Sequence, residues 1–210
     1  MKDLVLLVAD KNMQFALKGV LGRPEALNIC PIEFEFRVHP GRDGGTRDTG
    51  PEVLALERRR FAHALLVLDF EGCGTDSANA IALEAKLDSR LSSNWNDLAK
   101  SIVIEPELDA WVWGVGNSLE SAIEWPASTS VRDWLRERGF AFDVNGKPIR
   151  PKEALEAALR VPGLPRSSAL YQTIAEKISL RRCVDGAFIR LRKQLMEWFP
   201  KHEESASSVD

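Results

Sequence analysis

Apolar residues in this chain come in short dense runs, and the runs alternate with apolar stripes at helical spacing. Leu4-Val5-Leu6-Leu7-Val8-Ala9 is unbroken and stops at Asp10. Met13, Ala16, Leu17, Val20 and Leu21 follow at i, i+3, i+4, i+7 and i+8, one face of a helix. The same order recurs downstream. Ala64-Leu65-Leu66-Val67-Leu68 runs into Asp69-Phe70-Glu71, then Gly72 and Gly74, then a helix predicted over 77–91 with Ala80, Leu83, Leu87 and Leu91 as its stripe. Ile32-Glu33-Phe34-Glu35-Phe36-Arg37-Val38 alternates instead, the pattern of a half-exposed strand at or near a sheet edge. Ser101-Ile102-Val103-Ile104 is a fourth short strand, and a helix is expected to begin near Pro106 or Glu107.

Strands this apolar must be buried on both faces, and their alternation with helices predicts a parallel sheet. The fold class is therefore α/β, a mainly parallel sheet of about four or five strands flanked by helices. The stretch from His39 to Gly50 carries several glycines with Arg42, Asp43, Arg47 and Asp48, and reads as a loop. A helix is expected from Pro51 to about Arg59. After about Trp125 the composition turns helical. Helices are predicted from Ser130 to Gly139, from Pro151 to Arg160, over 167–179 and over 185–199, the last with Phe188, Leu191, Leu195, Trp198 and Phe199 on one face. The expected layout is an α/β core over 1–125, a C-terminal helical region over 126–200 packed on it, and a polar, disordered tail over 201–210.

Composition removes several classes. The net charge of −3 gives no global basic field, so a nucleic-acid partner would have to be held by a local patch. Cys30, Cys73 and Cys183 are widely spaced without a metal-ligand pattern, which fits a reducing, cytoplasmic compartment. Cys73 is expected to be a small buried hydrophobe. The apolar runs are far too short to span a bilayer, so no membrane partner is expected. His39, His63 and His202 form no cluster, and neither a nucleophile elbow nor a Gly-rich phosphate loop is present. Most of the tryptophans are expected in the core.

The candidate chemistry lies where apolar strands stop at carboxylates. Asp69 and Glu71 are spaced i, i+2, which sends both side chains to one side of a strand. In parallel sheets ligands bind beyond the carboxyl ends of the strands, and Asp10, Asp69 and Glu71 share that edge. Hard divalent cations such as Mg²⁺ take oxygen ligands of this kind. An acidic turn after a core strand is the competing account, and acidic residues in a first helical turn, Glu107 among them, also serve the helix dipole.

These residues resemble the Toprim family of topoisomerases, primases and OLD-type nucleases with their small bacterial relatives. Leu6-Leu7-Val8-Ala9-Asp10 stands where that family has its first acidic residue, and Leu68-Asp69-Phe70-Glu71-Gly72 where it has its Asp-x-Asp motif. Glu107-Leu108-Asp109-Ala110-Trp111 looks like the Glu-x-Glu-Ala-Trp segment of small Toprim-like proteins. Tyr171, Arg181-Arg182-Cys183 and Phe188-Ile189-Arg190-Leu191 are similar to their C-terminal features. The overall likeness is to a small component of methylation-associated bacterial phage-defence systems. Two positions depart from the pattern: Asp10 replaces the usual Glu and is followed by Lys11, and Glu71 replaces the usual Asp.

The resemblance implies a Mg²⁺- or Mn²⁺-dependent nuclease in antiviral defence acting on DNA or RNA. Asp10, Asp69 and Glu71 would be its catalytic residues, and Asp69, Glu71 and Glu107 its metal ligands. Lys11, Arg42, Arg47, Arg181 and Arg182 would be its nucleic-acid contacts. The alternative is a non-catalytic Toprim-like interaction subunit that binds other defence-system proteins. A phospho-acceptor receiver domain ranks third, because Lys11 stands where a receiver has a second acidic residue.

Overall fold

The computed structural model describes residues 1–114 and 116–201; all but the first residue of the tail expected to be disordered lies outside them. Four strands form one sheet in the order β2-β1-β3-β4, with every pair parallel: β1 (Lys2–Val8), β2 (Phe34–Val38), β3 (Phe61–Asp69) and β4 (Ala99–Ile104). The central strands are those with unbroken apolar runs. Leu4–Val8 and Ala64–Leu68 are buried along their whole length. The alternating strand β2 stands at one edge, as its pattern predicts.

The first crossover runs outward from β1 to β2, and the next two run the other way, from β2 past β1 to β3 and on to β4. Right-handed crossovers therefore place α1 (Lys11–Leu21) on one face. They place α3 (Arg42–Ala55) and α4 (Ala80–Trp95), which pack against each other, on the opposite face. A single turn, α2 (Pro24–Leu27), lies between α1 and β2. Beyond β4 come a 3₁₀ segment, Leu108–Trp113, and then α5 (Ser118–Ala122), α6 (Val131–Arg136), α7 (Pro151–Arg160), α8 (Ser168–Lys177) and α9 (Gly186–Trp198).

The C-terminal helices dock on the core through close packing. α8 lies against α1 at Gly19, where an added Cβ would sit 2.9 Å from both Ala175 Cβ and Gln172 O. The segment Leu108–Trp113 ties down three further elements. Buried Asp109 accepts from Tyr171 Oη at 2.6 Å and Arg166 Nη2 at 2.7 Å. Trp111 Nε1 donates to Asp185 Oδ1 at 3.0 Å, and its ring meets Phe188 edge-on. Trp113 Nε1 donates to Pro151 O at 3.1 Å, at the start of α7. The helix expected near Pro106 is thus a 3₁₀ segment whose side chains are all buried.

The largest departure from expectation lies between β2 and β3, where the helix expected to start at Pro51 and reach about Arg59 instead starts earlier and ends at Ala55. The stretch from His39 to Gly50 is not a loop: α3 begins at Arg42 and runs through Pro51 to Ala55, and residues beyond it turn toward β3. The glycines that suggested a loop serve packing. At Gly50 an added Cβ would lie 2.6 Å from Leu66 Cδ1, so a bare backbone is what lets α3 rest on β3. Pro51 lacks the amide that would bond to the Arg47 carbonyl four residues back. Arg90 of α4 substitutes for it, donating from Nη1 to Arg47 O at 2.8 Å and from Nη2 to Asp48 O at 2.5 Å.

Candidate functional site

The strand order reverses direction at β1, so the carboxyl ends of β1 and β3 border a crevice at a topological switch point. Three carboxylates enter it from three different elements. Asp10 follows β1 and caps α1, accepting from Met13 N at 2.9 Å through Oδ1. Asp69 closes β3, and its Oδ1 accepts from Leu108 N at 2.9 Å. Asp43, the second residue of α3, arrives over the crevice and takes the Asp69 amide at 2.8 Å through its own Oδ1. That amide points toward β1 at a level where β1 has already ended, so Asp43 completes the ladder with a side chain.

The electrostatics are those of like charges held together. Burial pushes the Asp69 carboxyl well above the usual carboxylate range, and Asp43, Glu107 and Asp10 push it further, opposed by the Leu108 amide. Asp43 is raised by burial and by Asp10, with Arg42 pulling the other way. Glu107 follows β4 on the same edge; burial raises it, and so do Asp109 and Glu71, while Lys152 at the start of α7 lowers it. Asp43, Glu107 and Asp10 thus all act on Asp69, which stands at the centre of an acidic cluster.

Glu71 is placed differently. Its amide donates to Pro106 O at 2.9 Å, and its side chain is exposed, acting on Glu107 and not on Asp69. Among the expected cations, exposed Lys11 opens α1 beside Asp10, and exposed Arg42 opens α3 beside Asp43. Arg47 stands one turn along α3, bonded to Asp48 and to Gly74 O in the loop after β3. Arg181 and Arg182 are elsewhere. Arg181 donates to Glu25 O of α2 at 3.3 Å, beyond the end of α1 remote from Asp10, and Arg182 donates to Ser179 Oγ. An eleven-residue helix separates the two ends of α1 by about 16 Å, so these arginines do not share the acidic edge.

The residue that sequence reasoning missed is Asp43. Its signal was its position: an acidic residue just after a strand of a parallel sheet, at the start of the next helix, arrives at the carboxyl edge. Reading 39–50 as a loop concealed that. Cys73 is buried beside the cluster, and burial raises its thiol.

The donor set of the cluster consists entirely of carboxylate oxygens, the type that Mg²⁺ or Mn²⁺ takes. Among the described residues no three His, Cys, Asp or Glu side chains are gathered tightly enough to form a preassembled metal group. Each of Asp10, Asp43 and Asp69 uses Oδ1 on a main-chain amide and leaves Oδ2 to another partner. Searches with this chain against family models, curated proteins and solved structures match none of them.

Proposed function

We propose that this chain is a Toprim-like, metal-dependent phosphodiester-processing protein, a nuclease of bacterial antiphage defence, working at the Asp10–Asp43–Asp69–Glu107 edge. One observation carries the reading: carboxylates from three elements are packed at the switch point with no cation among the described residues to balance Asp69, whose charged form is disfavoured. A fold does not gather half-buried like charges without cost, and a bound divalent cation would offset it. Asp69 and Asp43 would hold the cation, with Glu107 at the rim. The cation would neutralise a scissile phosphate and acidify an attacking water. The chain's own part is to position these oxygens on two strand ends and one helix start, and to leave Asp10 as proton acceptor. Lys11, Arg42 and Arg47 would meet the phosphates that flank the site, since a polyanion approaching bare carboxylates is repelled.

A second reading, the non-catalytic interaction subunit, is favoured by a different observation. Asp10, Asp43 and Asp69 each have a structural duty toward a backbone amide that requires no chemistry. Titration calorimetry with Mg²⁺ and Mn²⁺, together with a cleavage assay on plasmid and oligonucleotides, separates the two. The nuclease reading expects binding that Asp69→Ala weakens by about a hundredfold or more, and cleavage that the same variant abolishes. Absence of metal binding at millimolar concentrations overturns it. Absence of cleavage, with a stoichiometric protein partner retained by Asp69→Ala, establishes the interaction subunit instead.

A further inference from the structure

The two edges of the sheet are treated in opposite ways. On β4 the amides of Ser101 and Val103 face away from β3, because Ile104 is the residue whose carbonyl bonds back to Phe70 N. Both outward amides are covered from within. Asp88 Oδ1 takes Ser101 N at 2.7 Å, Glu84 Oε1 takes Val103 N at 2.7 Å, and Arg190 Nη2 donates to Val103 O at 3.2 Å. This edge cannot accept another strand without undoing its own side-chain bonds.

Among the described residues the β2 edge is covered at a single carbonyl. His39 N donates to Val8 O, and Glu33 O accepts from Asp3 N and Leu4 N, so the odd-numbered residues of β2 face β1. Phe34, Phe36 and Val38 direct their main-chain groups outward. Among the described residues their amides reach no side-chain or loop acceptor, and only the Phe36 carbonyl has a donor, Arg37 Nη1 at 3.0 Å. All five residues of β2 keep some exposure, and Val38 is 39% exposed. Free edges of this kind are templates for a further strand.

The strand is also complementary to itself. Laid antiparallel on a second copy about Phe36, Phe-Glu-Phe-Arg-Val sets Phe36 opposite Phe36, Phe34 opposite Val38 and Glu35 opposite Arg37. In that register the residues forming hydrogen-bonded pairs are Phe34, Phe36 and Val38, the same three whose amides and carbonyls point outward. The Phe36 carbonyl has a second lone pair to offer beside Arg37. Phe34 and Phe36, already edge-to-face at 5.7 Å, meet Val38 and Phe36 of the second copy on the α1 side of the sheet. On the α3 side each Glu35 faces an Arg37, an opposite-charge pair that favours this register over a slipped one. Both groups are already held on that side, Glu35 by Lys2 and Arg37, Arg37 by Glu57 at 2.7 Å.

We propose that the occupant of the β2 edge is a second copy of this chain, giving an isologous dimer with one continuous eight-stranded sheet. The inference is independent of the chemistry assigned to the acidic edge. Because β2 would run antiparallel to its mate, the two acidic edges would open at opposite ends of the assembly.

Sedimentation of the full chain from low to high micromolar concentration tests this, comparing wild type with Val38→Pro. Proline at 38 removes an outward amide while breaking no bond to β1. Wild type should reach twice the chain mass, and Val38→Pro should remain at the monomer mass with an unchanged circular dichroism spectrum. Hydrogen exchange of wild type gives a readout that needs no variant: the amides of Phe34, Phe36 and Val38 should be protected at high concentration and exchange at least about tenfold faster on dilution to the monomer. A wild type that stays monomeric throughout, a dimer that survives Val38→Pro, or a dimer whose formation leaves those three amides unprotected overturns the proposal.

Discussion

Asp69 concentrates the tension in this molecule. Its carboxyl is raised by burial and by three neighbouring carboxylates, so the folded chain retains a proton there that the unfolded chain has lost. Between the ordinary carboxylate range, about pH 4, and the raised value, the native state binds more protons than the unfolded one. Stability contributed at this position therefore falls as pH rises through that window. Asp69→Asn removes the titration while keeping an oxygen for the Leu108 amide. Thermal melts in chelator should find this variant more stable than wild type at neutral pH, with the gain shrinking to nothing below about pH 4. A variant less stable than wild type at neutral pH would mean that the carboxylate is net favourable where it stands. Adding Mg²⁺ should raise the melting temperature of wild type and leave Asp69→Asn largely unmoved, because ligand linkage stabilises only the form that binds.

At the level of elements, α3 shows how a helix persists against its own sequence. Local signals at Gly44, Gly45, Gly50 and Pro51 all argue for a turn or a break. The helix forms because Gly50 brings it onto Leu66 and because Arg90 supplies the donor that Pro51 lacks. Arg90→Leu should consequently destabilise the fold by about 1–3 kcal/mol, since the Arg47 carbonyl loses the donor that replaces the Pro51 amide and the Asp48 carbonyl loses an additional one. Hydrogen exchange should show the loss centred on α3, and a uniform loss across the sheet would argue against this role. The segment Leu108–Trp113 offers a second element-scale test. Trp111→Phe keeps a ring against Phe188 and deletes only the donor to Asp185, which also accepts from Ala187 and Phe188 at the start of α9 and pairs with Lys147 at 2.6 Å. Limited proteolysis should then cut more readily between α8 and α9 while the parallel core stays intact. Unaltered cleavage would show that the Asp185 contacts from Lys147 and the α9 amides suffice.

For the molecule as a whole, the sheet order decides what its edges can do. Reversal at β1 opens the crevice that receives Asp10, Asp43 and Asp69. The same order leaves β2 and β4 outermost; among the described residues the β2 edge stays open, and β4 is covered by Asp88, Glu84 and Arg190. No helix among the described residues is long and apolar enough to cross a membrane. The acidic edge and the open edge are separate surfaces, so Asp69→Ala should leave the sedimentation behaviour of the wild type unchanged.

The four strands, their parallel arrangement and the edge position of β2 follow from the residues alone, because continuous apolar runs can exist only where both faces of a sheet are covered. Asp10 and Asp69 at the carboxyl edge follow for the same reason: each ends such a run. The helices from Pro151 onward are legible in their caps and stripes, with Ser167 and Asp185 accepting from their own first turns. Tertiary packing decided the rest. α3 exists through contacts with Leu66 and Arg90 that are distant in the chain, which no local propensity encodes. Asp43 entered the site with it, while Glu71 was left at the exposed rim and Arg181 and Arg182 at the far end of α1. Which strand edge is covered and which is open depends on where Glu84, Asp88 and Arg190 come to lie. That is a matter of spatial placement, and the pattern of apolar and polar positions along the chain does not contain it.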